Sequence, residues 1–145
     1  MRTSWTRELY DVEDILSLWS RLPLVDMGEA ALIIDAIQNT GYWSAMMPER
    51  VPILCERAKN YNEVSGTRER KIRKTKAGFV ITFGLGYLTG GMLFHELPHV
   101  VTYGSKAPHG RQYLQAYLTI WKYNCRDVLY RRICEELEAR NVPTA

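Results

Sequence analysis

The chain has 145 residues, of which 46% are hydrophobic and 24% are charged, a composition typical of one soluble globular domain spanning residues 1–145. Its formal net charge of +3 is too small for the molecule as a whole to indicate a polyanion partner. Cys55, Cys125 and Cys134 form no CxxC pair and leave one thiol over in any disulfide scheme. Because the N-terminus also lacks a signal-peptide pattern, we predict a cytoplasmic protein.

The first fifty residues predict two helices. Residues 5–19 place apolar side chains at three- and four-residue steps with acids on the other side, which is typical of an amphipathic helix. Pro23 interrupts this pattern, and Asp26 is a suitable N-cap for a second helix that ends near Gly41.

The rest of the chain predicts a small sheet followed by helices. The runs "VPILCERAK" and "FVITFG" are β-branched or aromatic and flank a charged segment with turn residues at both ends, which indicates about three antiparallel strands. Helical spacing returns from Thr89 to Val101, and a long C-terminal helical region runs from just after His109 towards Asn141, with a bend near Asn124. The predicted fold class is therefore α+β.

Residues 77–94 form an uncharged stretch of 18 residues, barely long enough to cross a bilayer. Five glycines and a change of periodicity within it favour a strand, a turn and a helix start over one apolar helix. We therefore predict no membrane partner.

All three histidines of the chain lie within 15 residues, and two of them belong to the sequence "HELPH". On a helix, His95 and His99 stand one turn apart on the same face, so both imidazoles can bind one metal ion while Glu96 lies beside it. This HExxH arrangement supplies the ligands and the carboxylate base that zinc-dependent hydrolysis requires.

A third protein ligand is needed to complete such a site. His109 follows a turn-prone segment of sufficient length to fold back, and its neighbour Gly110 permits close approach, so we favour His109. Glu135 or Glu136 on the last helix is the alternative. We interpret Tyr103, Arg111 and Tyr113, which flank the third histidine, as loop or packing residues.

The segment "HELPHVVTYGSKAPHGRQY" resembles the HExxH…HG pattern of SprT-like and related minimal gluzincin metallopeptidases. It is most similar to a small family of predicted zinc metallopeptidases encoded by actinobacteria and their phages. Specific motifs cover residues 76–117. The resemblance implies a zincin-like fold and one Zn²⁺ per chain held by His95, His99 and His109.

The resemblance also implies a mechanism in which zinc-bound water attacks a peptide carbonyl with Glu96 as general base. The substrate would be a peptide or protein, and the strand "GFVITFG" would be the sheet edge that pairs with it. A phage-encoded protein would act in the host cytoplasm.

Pro98 departs from the family pattern, because the family usually has a small helix former there. A proline inside the helix removes a backbone hydrogen bond and crowds the carbonyl of Phe94, at a cost of about 3 kcal/mol. A kink could rotate His99 away from the metal, or the pliable helix start at Gly90 and Gly91 could absorb the bend. The alternative function is therefore a non-catalytic binding protein with this fold, a phage or host accessory factor.

The segment 68–76 carries six cations in nine residues. One interpretation is a solvated edge hairpin that resists aggregation. The other is non-specific, salt-dependent contact with nucleic acid. The residues concerned are Arg68, Arg70, Lys71, Arg73, Lys74 and Lys76.

Overall fold

The structure of the protein, a computed structural model, describes residues 4–73, 76–105 and 107–145, with the side chains of 71–73 and 76 left aside. Its α+β architecture combines helices with one small three-stranded sheet, as the sequence predicts. None of the helices in these ranges is long and apolar enough to cross a membrane.

The N-terminal part is helical. It contains α1 (Thr6–Ile15), a 3₁₀ turn (Leu18–Ser20), α2 (Met27–Gln38) and α3 (Gly41–Met46). The Asp26 carboxylate accepts the backbone N–H of Glu29 at 2.9 Å, which confirms the predicted cap of α2. The first predicted helix is shorter than expected, because α1 ends at Ile15 and Ser17 adopts a left-handed backbone conformation with φ of 53°.

The sheet contains β1 (Ile53–Arg57), β2 (Gly66–Arg73) and β3 (Lys76–Phe83) in the order β1-β3-β2. β2 and β3 are antiparallel, whereas β1 and β3 are parallel, with Ile53 opposite Phe79. The prediction of an antiparallel sheet was therefore wrong for one of the two pairs. The chain reverses direction twice between β1 and β3, so these strands run the same way and pair in parallel.

β3 occupies the centre of the sheet, so the prediction that "GFVITFG" is a free edge was wrong. Its apolar side chains are buried on both faces: Val80 on one, Phe79 and Ile81 on the other. A strand with two buried faces is suited to the middle of a sheet, while the basic β2 lies at one of its two edges.

The C-terminal half supplies three helices: α4 (Gly90–Val101), α5 (Arg111–Asn124) and α6 (Asp127–Ala139). Thr89 caps α4 by accepting the N–H of Met92 at 3.0 Å. The predicted bend near Asn124 is a complete break, since Cys125 and Arg126 adopt extended backbone angles between α5 and α6.

α4 runs through the middle of the hydrophobic core. Leu93 and Leu97 are fully buried in a cluster that also includes α1, β3 and α5. The start of α4 lies against the 3₁₀ turn so closely that a Cβ on Gly91 would stand 1.7 Å from the carbonyl oxygen of Leu18. Only glycine permits this approach, which fixes the start of α4 relative to the 3₁₀ turn.

Candidate metal centre

The three histidines of the chain converge. α4 carries His95 and His99 one turn apart, and His109 stands just before α5. Each offers one ring nitrogen, and these three nitrogens lie within 4.8 Å of one another. Nitrogen ligands on one tetrahedral ion with bonds of about 2.0–2.1 Å are separated by roughly 3.4 Å. The cluster is therefore close enough to bind a metal ion after small side-chain adjustments.

His95 is oriented by a buried carboxylate. Its Nδ1 lies 2.6 Å from Oε2 of Glu13, which is 1% exposed and also accepts the hydroxyl of Tyr117 at 3.1 Å. When Glu13 is ionised it only accepts hydrogen bonds, and in the neutral His95 ring Nδ1 then carries the proton while Nε2 keeps its lone pair. This is the arrangement by which proteins present a histidine to a metal.

His109 is held in a similar way. Its Nδ1 lies 2.9 Å from Oγ1 of Thr6, and Thr6 in turn lies 2.9 Å from the hydroxyl of Ser4. Its Nε2 is buried without a hydrogen-bond partner among the described residues. A buried nitrogen without a partner is costly, and coordination of a metal ion would satisfy it. The residues present therefore fit a bound metal.

The protonation state of two of the three rings favours metal binding. Burial lowers the pKa of His99 to about 3 and that of His109 to about 4, and a proton on His95 would lower both pKa values further. Both rings are thus neutral at physiological pH. Neutral imidazole is the form that coordinates metals.

Glu96 lies beside the cluster and is 4% exposed. Its Oε1 accepts the hydroxyl of Thr67 at 2.9 Å, and Thr67 belongs to the edge strand β2. Burial raises the pKa of Glu96, although His95 and Thr67 partly oppose this shift. A carboxylate with a raised pKa is suited to accept and return protons near neutral pH.

Pro98 does not separate the two ligands of α4. The helix continues through it to Val101, and the carbonyl of Pro98 accepts both the N–H and the hydroxyl of Thr102, at 3.0 and 2.9 Å. The ring centroids of His95 and His99 are 5.6 Å apart. The predicted kink therefore does not rotate His99 away from the cluster.

The alternative third ligands lie elsewhere. Glu135 is exposed on α6, and Glu136 pairs with Arg140 at 2.8 Å. Neither belongs to the metal-binding group found among the described residues. Tyr113 is a packing residue as expected, because its buried hydroxyl donates to the carbonyl of His95 at 2.6 Å.

The cluster opens into a cleft formed by two cavities of about 650 and 350 Å³. Both are lined by Tyr10, Ser65, His95 and Glu96, so the candidate metal position lies at their junction. Tyr103 lines the smaller cavity and is half-exposed. A metal bound here would have access to solvent, which distinguishes catalytic sites from closed structural ones.

Sequence reasoning missed the contribution of α1. Tyr10 packs its ring against His95 and His109, with centroid distances of 5.8 and 5.4 Å, and Glu13 and Thr6 orient the same two histidines. One signal was available: Glu13 occupies a helix position between apolar residues at 12 and 16, where a charged side chain needs a buried partner.

The basic segment is only partly described. Arg68 bonds Glu56 at 2.8 Å and Thr82 at 3.2 Å on β1 and β3, which offsets its charge, while Arg70 is exposed on β2. Lys74 lies outside the described residues, and so do the side chains of Lys71, Arg73 and Lys76. Contact with nucleic acid stays a prediction.

Comparison of the chain with protein-family models, with curated proteins and with solved structures gives no match. A function for this protein is therefore inferred from the geometry of this site.

Proposed function

We propose that this protein is a zinc-dependent peptidase that hydrolyses peptide bonds in the cleft between α1, α4 and β2. The observation that carries the proposal is the convergence of three ring nitrogens beside a buried glutamate at the junction of two cavities. Metal-dependent hydrolysis needs this combination of ligands, base and access for substrate.

His95, His99 and His109 would hold the ion, and Glu13 and Thr6 would keep two of these rings in the correct tautomer. Zinc in this position supplies Lewis acidity, which lowers the pKa of water and polarises a carbonyl. Glu96 accepts the proton of the attacking water and passes it to the leaving amine. Thr67 fixes the Glu96 carboxylate for both transfers.

The substrate would bind as an extended chain along β2. This strand forms the edge of the sheet, and its Thr67 already contacts both the side chain and the carbonyl of Glu96. Pairing with an edge strand uses main-chain hydrogen bonds and aligns a peptide regardless of its sequence. The scissile bond would then cross the junction of the cavities.

Tyr10 is positioned to assist the reaction. Its ring lies against two of the histidines and lines both cavities, on the side of the cleft formed by α1. Burial raises the pKa of its hydroxyl, and the charges of Glu13 and Glu96 raise it further, so the group stays a hydrogen-bond donor. We assign it the stabilisation of negative charge on the carbonyl oxygen.

The decisive experiment compares wild-type protein with Glu96→Gln. We expect about one zinc per chain by elemental analysis in both proteins, and cleavage of a casein-derived peptide mixture by the wild type only. Glu135→Gln, an exposed carboxylate on α6, is the matched control and should cleave normally. A protein that folds but binds no zinc, or Glu96→Gln with full activity, would contradict the proposal.

A further inference from the structure

The larger cavity, of about 650 Å³, is built by three separate segments beside His95 and Glu96. One wall is the C-terminal end of α1 with the 3₁₀ turn, a second is the loop 58–65 between β1 and β2, and a third is the loop 84–89 before α4. A volume of this size accepts a long side chain together with water.

The walls are rich in aromatic rings. Four aromatic side chains line the cavity, and Met92 and Leu85 add apolar surface. Trp19 is fixed there, because its Nε1 donates to Asp14 at 2.8 Å and its ring packs against His95 with centroids 5.1 Å apart. Such faces attract both the methylene stem and the cationic head of a basic side chain. The four rings belong to Tyr10, Trp19, Tyr61 and Tyr87.

The charged groups of the cavity are acidic. Asp14, Glu63 and Glu96 line it, and no lysine or arginine is among its described lining residues, although the chain carries a net charge of +3. Arg68 interacts with Glu63 electrostatically, but its guanidinium is bound by Glu56 at 2.8 Å. The cavity therefore has a negative potential that favours a cation.

The acidic wall is held in place. Oε2 of Glu63 accepts the backbone N–H of Lys59 at 3.0 Å, and Ser65 ties this loop to the third wall by accepting the N–H of Gly84 at 2.7 Å. Preorganised carboxylates lose little side-chain entropy when a ligand binds.

We propose that this cavity is a specificity pocket for a lysine or arginine side chain of the substrate, next to the bond that is cleaved. The stem of the side chain packs on Trp19 and Tyr87, and the cationic head pairs with Asp14 and Glu63. The inference rests on the proposed function, since it names the class of peptide which that site would take.

Peptide binding to a variant without the proposed catalytic base tests the pocket separately from cleavage. In a full-length Glu96→Gln background, binding of acetyl-Ala-Ala-Arg-Ala-Ala-amide and of its norleucine and glutamate counterparts is measured by calorimetry. We expect the arginine peptide to bind about five- to tenfold more tightly than the norleucine peptide, and the glutamate peptide to bind most weakly. Equal binding of the arginine and norleucine peptides, or no binding of any peptide, would overturn the proposal.

Substitutions of the acidic cavity residues test whether they cause the preference for the arginine peptide. Asp14→Asn combined with Glu63→Gln should bring the ratio of arginine-peptide to norleucine-peptide affinity close to one. Asp11→Asn combined with Glu135→Gln removes the same two charges from exposed positions outside the cavity and should retain the advantage. An unchanged preference in the double variant would contradict the pocket.

The cleavage pattern of the wild type distinguishes the proposed pocket from the proposed peptidase activity. Mass spectrometry of a peptide mixture digested by the wild type should show arginine and lysine enriched at one position beside the cleaved bonds. Cleavage with an aliphatic or aromatic preference would contradict the pocket and leave the peptidase proposal standing. Arginine-selective binding without any cleavage would support the pocket and contradict the peptidase.

Discussion

Oε2 of Glu13 lies 2.6 Å from Nδ1 of His95, although 82 residues separate them in the chain. Both side chains are almost completely buried, and Tyr117 donates a second hydrogen bond to the same oxygen. Burying a carboxylate is costly unless it is paired, so this contact commits α1 to a defined position against α4. α1, which supplies none of the three histidines, is thereby part of the candidate metal site.

Glu13→Gln should weaken the binding of zinc by about 10- to 100-fold. The amide preserves the shape of the side chain but loses the charge that orients His95 and increases its basicity. Competition with a chelating dye measures the dissociation constant. Asp11→Asn, an exposed substitution on the same helix, is the control and should leave the constant unchanged. Equal affinities for Glu13→Gln and wild type would contradict the orienting role.

His109→Ala should reduce the zinc content well below that of the wild type, because two imidazoles on one helix leave the ion without its third protein ligand. Elemental analysis after dialysis against a weak chelator gives the stoichiometry. Glu135→Ala serves as control, since this exposed glutamate is the alternative third ligand on α6. Loss of zinc from Glu135→Ala with retention in His109→Ala would reverse the assignment.

Tyr10→Phe should lower kcat about 100-fold, the loss typical of a donor to the developing oxyanion, with zinc content and KM close to those of the wild type. Steady-state kinetics on a fluorogenic peptide separates kcat from KM. Tyr123→Phe, on an exposed tyrosine stacked on Tyr42, is the control. A change in KM alone would assign Tyr10 to substrate binding instead.

The free energy of unfolding of the metal-free protein should decrease as the pH is lowered, over a pH range determined by the pKa of His99. Its pKa is about 3 in the folded state and 6.5 in the reference state, so below pH 6.5 the unfolded chain binds a proton that the folded chain does not. The free energy of unfolding therefore decreases as the pH falls from 6.5 towards 3.

His99→Gln should flatten this decrease relative to the wild type, as measured by urea denaturation of both proteins at several pH values between 7 and 4. His109, whose pKa is also lowered, and the neighbouring Glu13, His95 and Glu96 titrate in both proteins, so the difference between the two curves reports His99 together with its charge coupling to them. Parallel curves would contradict the lowered pKa.

Gly91→Ala should destabilise the protein by about 3 kcal/mol, because the new Cβ would stand 1.7 Å from the carbonyl oxygen of Leu18 and force the two segments apart. Gly41→Ala is the matched control, because no atom lies within 4 Å of its Cβ position. Thermal denaturation should show a lower Tm for the first variant only. Equal Tm values would mean that the 3₁₀ turn moves away from the new Cβ without loss of stability.

Local patterns in the sequence determined several parts of this protein. Asp26 marks the start of α2, the glycine-rich 77–94 stretch divides into strand, turn and helix, and the spacing of His95 and His99 places both on one face of α4. These features depend on helix and strand periodicity and on capping, which act over a few residues.

The tertiary structure alone decided the strand order, the parallel pairing of β1 with β3, and the roles of Thr6, Glu13 and Tyr10. The paired residues of β1 and β3 are 26 positions apart, and the contacts of Thr6, Tyr10 and Glu13 with the histidines join residues more than 80 positions apart. No local periodicity encodes which distant helix face meets which histidine. The contacts of α1 with the histidines arise because its apolar residues must be buried in the common core, where α1 packs against α6 and the 3₁₀ turn. That packing carries the polar residues of α1 into the site.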